Sequence, residues 1–70
     1  MVSGAGPAIK ERRELRGLTR PELAALVGCS YQHIYNVETG QKGISLVLLS
    51  RIARKLGVSV ATLRLAEDAA

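Results

Sequence analysis

Seventy residues, 47% of them hydrophobic and nearly all of those Leu, Val, Ile or Ala, suffice for one aliphatic core and are too apolar for a disordered chain. A single cysteine excludes an internal disulfide, and no apolar run approaches the roughly 18–20 residues that span a bilayer. The formal net charge of +4 favours a polyanionic partner, nucleic acid or an acidic membrane surface.

Met1 to Gly6 is small and glycine-rich, with neither the basic nor the apolar region of a secretion signal. Residues 1–7 are expected to form a flexible segment, and the expected setting is the cytoplasm. Pro7 suits the first turn of a helix that runs from Ala8 to Arg16 and stops at Gly17. Ile9 is the main inward anchor of this helix, with three arginines nearby. Thr19-Arg20-Pro21-Glu22 reads as a capping box opening a second helix, along which Leu23, Ala24, Leu26 and Val27 follow at helical spacing until Gly28. Ser30 caps a third helix from Tyr31 to about Glu38. Residues Thr39-Gly40-Gln41-Lys42-Gly43 make a polar loop. Ser45 caps a fourth helix whose inward stripe is Leu46, Leu49, Ile52, Ala53 and Leu56, ended by Gly57. Ser59 caps a short fifth helix carrying Val60 and Leu63, and residues 67–70 are expected to fray. Nothing alternates apolar and polar over strand length, so the fold class is all-α, one five-helix domain over residues 8–66.

Both tyrosines and the one histidine fall within Tyr31-Gln32-His33-Ile34-Tyr35, and the chain has no Trp or Phe. Aromatics bury large apolar areas and normally serve the core of a small protein. Here they share the most polar stretch of the chain with Gln32 and Asn36, which points to a contact surface. The break at Gly28-Cys29-Ser30 forces helices 2 and 3 to reverse within three or four residues. Such a turn needs a small residue at the crossing, a residue free to take positive φ, and apolar anchors beneath. Ala24, Gly28 and the set Leu23, Val27, Cys29, Ile34 and Val37 supply these.

The spacing Ala24, Gly28, Ile34, Val37 resembles the helix-turn-helix of the Cro/repressor-like (XRE-type) DNA-binding domains. Gly17-Leu18-Thr19, Glu22-Leu23-Ala24, Ile34 to Glu38, Thr39-Gly40, and Ser45-Leu46 through Ala53-Leu56-Gly57-Val58-Ser59 are also similar to that family, so the likeness covers roughly residues 8 to 65. It implies a five-helix domain with helix 3 as the recognition helix in the DNA major groove. The chain departs from the family at Arg12, where an apolar residue is usual, and at Ile44, often Pro. Either the arginine stems of helix 1 pack with their heads in solvent, or the helix rotates to use Leu15.

With Ile34 and Val37 inward, Gln32, Tyr35 and Asn36 point outward and Tyr31 and His33 flank them. Gln32 is the first candidate base reader, because its amide can pair bidentately with adenine. Tyr31 and Tyr35 can pack on a thymine methyl or bond phosphate, and Asn36 either reads a base or supports Gln32. His33 reads as a flank or phosphate contact rather than a switch. Arg20 begins helix 2 and is expected beside the DNA backbone, as are Gln41, Lys42 and Ser45 from the loop after helix 3; these contacts hold register without reading sequence. The family resemblance implies that Arg13 and Glu38 pair and lock the recognition helix to the core.

Cys29 and His33 are too few for a zinc site and lack the third group of a nucleophilic pair, so neither an enzyme nor a cofactor or metal is expected. A small repressor that binds double-stranded DNA as a homodimer on a palindromic operator is the leading reading, with Leu65 and Val47 as exposed apolar dimer contacts. An antitoxin-like protein-interaction module, binding a partner through Val47, Leu48 and Leu65, is the alternative.

Overall fold

Side-chain caps open four of the five helices. The computed structural model describes the backbone of residues 1–69 and the side chains of residues 1–64. Its elements are α1 (Gly6–Leu15), α2 (Arg20–Val27), α3 (Tyr31–Glu38), α4 (Leu46–Leu56) and α5 (Val60–Ala69). At the start of α2, the Thr19 hydroxyl accepts from the Glu22 N–H at 3.2 Å while the Glu22 carboxylate accepts from the Thr19 N–H at 2.8 Å. These two reciprocal bonds satisfy N–H groups that have no partner inside the helix. Ser30 accepts from the His33 N–H and Ser45 from the Leu48 N–H, both at 3.2 Å, and Ser59 from the Thr62 N–H at 3.1 Å. Only α1 starts without a side-chain cap, at Ala5, with Pro7 in its first turn.

Five helices wrap one aliphatic core. Ile9 of α1, Leu23 of α2, Ile34 of α3, Leu49 and Ile52 of α4, and Leu63 of α5 are fully buried, joined by Ile44 from the loop before α4. Helix α2 packs on α3 and α4, and α1 packs on α3, α4 and α5. The chain therefore fills its interior with branched aliphatics and needs no aromatic ring there.

Three sequence expectations change. First, Met1 to Gly6 does not fray throughout: Val2 is buried and forms an isolated antiparallel bridge with Ile44. The Val2 N–H donates to the Ile44 carbonyl at 2.7 Å, and the Ile44 N–H donates back at 2.8 Å. Ile44 makes the second bond possible, because the proline often found here in the family the sequence resembles has no N–H to give. Second, α1 starts at Gly6 and is not rotated towards Leu15, which is 71% exposed. Its inner side is Gly6, Ile9 and Arg13, preceded by buried Ala5. Gly6 lies against the end of α3: a Cβ there would collide with the Val37 carbonyl oxygen and crowd the Glu38 backbone at 2.9 Å. The thin inner side of α1 is thus a close approach of two backbones. Third, Leu46 is exposed and leaves the α4 stripe, which is Leu49, Ile52, Ala53 and Leu56. Leu46 is the first residue of α4, and Ile44 fills the core at that end. Leu26 of α2 is also half-exposed.

Candidate nucleic-acid interface

The turn between α2 and α3 sets the direction of the third helix. Gly28 takes a left-handed conformation (φ 78°, ψ 38°), and the Gly28 and Cys29 N–H groups both donate to the Ala24 carbonyl at 2.9 and 3.0 Å. A side chain at Gly28 would be strained in that backbone region. Cys29 is partly buried against the core, and burial pushes its thiol pKa up, away from the reactive thiolate.

Ile34 and Val37 are buried, so α3 turns its other side outward. Tyr31 and Tyr35 are 56% and 38% exposed. Gln32 is exposed, and His33 and Asn36 are half-buried at the edges. The Gln32 amide Nε2 donates to Asn36 Oδ1 at 3.2 Å. That bond uses one of the two Nε2 hydrogens and leaves the other N–H and the Oε1 acceptor free, the pair a bidentate adenine contact requires. Asn36 therefore braces Gln32. Its own carbonyl accepts from the Gln41 and Lys42 N–H groups at 2.8 and 3.2 Å, which folds the following loop onto the end of α3. Gln41, Lys42 and Ser45 are exposed along this loop, with the Ser45 oxygen engaged as the α4 cap.

Glu38 is the centre of the polar network. Its side chain is fully buried, and Arg13 approaches it with two nitrogens: Nε donates to Oε2 at 2.7 Å and Nη2 to Oε1 at 3.1 Å. Arg13 Nη1 donates to the Leu18 carbonyl at 2.8 Å, so the guanidinium also fixes the chain entering α2. The hydrogen bond to Glu38 raises the Arg13 pKa against the opposing effect of burial. Arg20 also reaches this carboxylate, donating from Nε to Oε1 at 2.9 Å. Its guanidinium carbon lies 5.1 Å from the centroid of the Tyr35 ring. Arg20 was expected beside the DNA backbone; in addition, two of its contacts tie the start of α2 to the buried Glu38 and the exposed Tyr35 of α3.

A groove of about 560 Å³ opens beside this network, lined among others by Lys10, Thr19, Arg20, Pro21, Tyr31 and Tyr35. Among the described residues no group of His, Cys, Asp and Glu could hold a metal ion. None of their helices is long and apolar enough to cross a membrane. Val47 is 65% exposed. The Leu65 side chain and residue 70 lie outside the described residues; of the tail 67–70 expected to fray, the backbone of residues 67–69 continues α5 as helix.

The helix-turn-helix family model matches residues 9–63. The chain belongs to the XRE-type helix-turn-helix family of transcriptional regulators. It is 49% identical over 49 residues, 70% of its own length and 71% of the relative's, to an uncharacterised HTH-type transcriptional regulator of Methanothermobacter thermautotrophicus. Its fold is similar to the clp gene regulator ClgR of Corynebacterium glutamicum, with a TM-score of 0.87 and 30% identity over 96% of this chain and 71% of that one. It is similar too to SinR, a master regulator for biofilm formation solved in complex with DNA, with a TM-score of 0.80 and 30% identity over 84% and 95% of the two chains. These relatives are regulators, as is the family to which the chain belongs.

Within that family frame, the sequence reading missed one residue and one contact. Lys10 joins the groove from α1, and its position three residues before Arg13 was a usable signal, since residues three apart share a helix face. The inward contact of Arg20 had none, because Arg20 and Glu38 are 18 positions apart and meet only through the turn.

Proposed function

We propose that this chain is a sequence-specific DNA-binding repressor that occupies a palindromic operator as a homodimer, with α3 in the major groove. The observation that carries the reading is the outer face of α3. Tyr31, Gln32 and Tyr35 are exposed on a helix whose buried side is fixed by Ile34, Val37 and Glu38. Residues near the N-terminus of such a helix reach base edges, and Gln32 is placed there with its amide already oriented by Asn36. Arg20, His33, Gln41, Lys42 and Ser45, joined by Lys10, supply the contacts to flanking phosphates. SinR, a neighbour of the same fold, is seen with DNA, and this supports the same class of partner here.

The protein-partner reading has its own observation: Leu46 and Val47 stand side by side, more than half exposed, at the start of α4. Leu48 packs partly against the core and serves that reading less well. In a homodimer the same exposed pair is available as a self-contact.

Selection from random-sequence double-stranded DNA tests the proposal. The expected outcome is a palindromic consensus with half-site centres about 34 Å apart, and a log–log salt slope of about −0.9 per phosphate contact. Recovery of no enriched sequence would overturn it and favour the protein-partner reading.

A further inference from the structure

Arg20 occupies an unusual place: one guanidinium touches a buried carboxylate and an exposed aromatic ring that stand on the same helix. Tyr35 and Glu38 are three residues apart on α3, and Arg20 is the first residue of α2. Glu38 is well anchored, since its side chain is buried and Arg13 bonds to both of its oxygens. Arg20 Nε bonds to Oε1 of that carboxylate at 2.9 Å, so the guanidinium is anchored from within, while the side chain as a whole keeps 30% of its exposure. The anchored group then lies over the Tyr35 ring, 5.1 Å from its centroid. An exposed tyrosine on a helix would otherwise sample several orientations and lose that freedom on binding.

We propose that Arg20 is a positioning residue for base reading: suspended from Glu38, it fixes the ring of Tyr35, so that discrimination at the base pair Tyr35 faces depends on the planar fork of Arg20 and not on its charge. The inference rests on the reading of the α3 outer face as a DNA-reading surface and assigns it a regulator inside the protein. Lysine cannot replace arginine in this role. Its compact ammonium preserves the charge that attracts phosphate but offers neither a planar face to the ring nor a fork that bonds Glu38 at the same time. A residue that only touches phosphate behaves differently, because its loss weakens binding to all sequences alike.

The test compares wild type, Arg20→Lys, Tyr35→Ala and the double variant by fluorescence anisotropy, on the selected operator and each of its single-base-pair variants. Thermal melts establish that each variant is folded. Because Arg20 is also a proposed phosphate contact, Arg20→Lys is expected to change affinity for all sequences by one common factor and, beyond that factor, to lose about tenfold discrimination at the base pair where Tyr35→Ala loses it. In the Tyr35→Ala background it should cost no further discrimination at that position. In the DNA-free protein, the Tyr35 ring proton signals should shift in Arg20→Lys. A uniform loss with no additional loss at the Tyr35 base pair, losses that add in the double variant, or unmoved Tyr35 ring signals would each overturn the inference. A wild type with no sequence preference would overturn the DNA-reading proposal and this one with it; a wild type with a preference that Arg20→Lys leaves unchanged would overturn this one alone.

Discussion

Helices α3 and α4 both begin on a serine that accepts the N–H three residues on, and both bury one stripe of side chains. The α4 stripe is aliphatic throughout, Leu49, Ile52, Ala53 and Leu56, whereas α3 adds to Ile34 and Val37 a buried carboxylate held by two arginines. Hydrophobic packing has no direction, so α4 is held in place while its rotation depends on shape alone. The bonds of Glu38 are directional and reach to α1 and the start of α2, so they fix the rotation of α3 and with it the face that carries Tyr31, Gln32 and Tyr35. A scaffold helix needs only to be packed, whereas a helix proposed to read DNA must also be aimed.

Glu38→Gln and Leu49→Met are the paired substitutions that break this comparison most sharply. Removing the Glu38 charge leaves Arg13, itself 6% exposed, without its counter-ion, and such one-sided loss costs about 3–5 kcal/mol. Leu49→Met keeps volume and polarity in the α4 stripe and should cost less than about 1.5 kcal/mol. Urea unfolding of both variants checks the ranking. Equal costs would mean that α3 is held no more directionally than α4.

The α2 capping box sharpens the comparison with a smaller effect, because it is a directional contact on the surface. Hydrogen bonds from the Thr19 backbone N–H, and then its side chain, hold the Glu22 carboxyl below the usual carboxylate range. A lowered folded-state pKa means that the unfolded chain binds more protons in acid. The stabilisation is therefore present above the unfolded pKa and is lost as pH falls through the folded one. Melting temperatures of wild type and Glu22→Gln should differ near neutral pH and converge in acid. A difference that persists unchanged into acid would mean that the carboxylate charge contributes nothing to the cap.

How much of this was legible depended on whether the signal was local. The caps at Thr19, Ser30, Ser45 and Ser59 were readable because a cap and the N–H it accepts lie three residues apart. The span of α3 and its buried side followed from the 3.6-residue period applied to Ile34 and Val37. Long-range contacts carried no such mark. The pairing of Val2 with Ile44 joins residues 42 apart, and a short glycine-rich start reads as loose until its partner is seen. Leu46 has the right angle to join the α4 stripe, but its place at the helix end leaves it in solvent. Arg13 was linked to Glu38 through resemblance to the family, while the contact of Arg20 with the same carboxylate emerged only from the fold.

The central claim is that the outer face of α3 reads DNA, and the most direct measurement is the ratio of specific to non-specific affinity for wild type and for a variant carrying Gln32→Ala with Tyr35→Ala. Both side chains lie on the exposed face, so the melting temperature should hardly change. The ratio should fall by about a hundredfold, in keeping with the loss of two base contacts. An unchanged ratio in a folded double variant would contradict the account and place recognition on another surface.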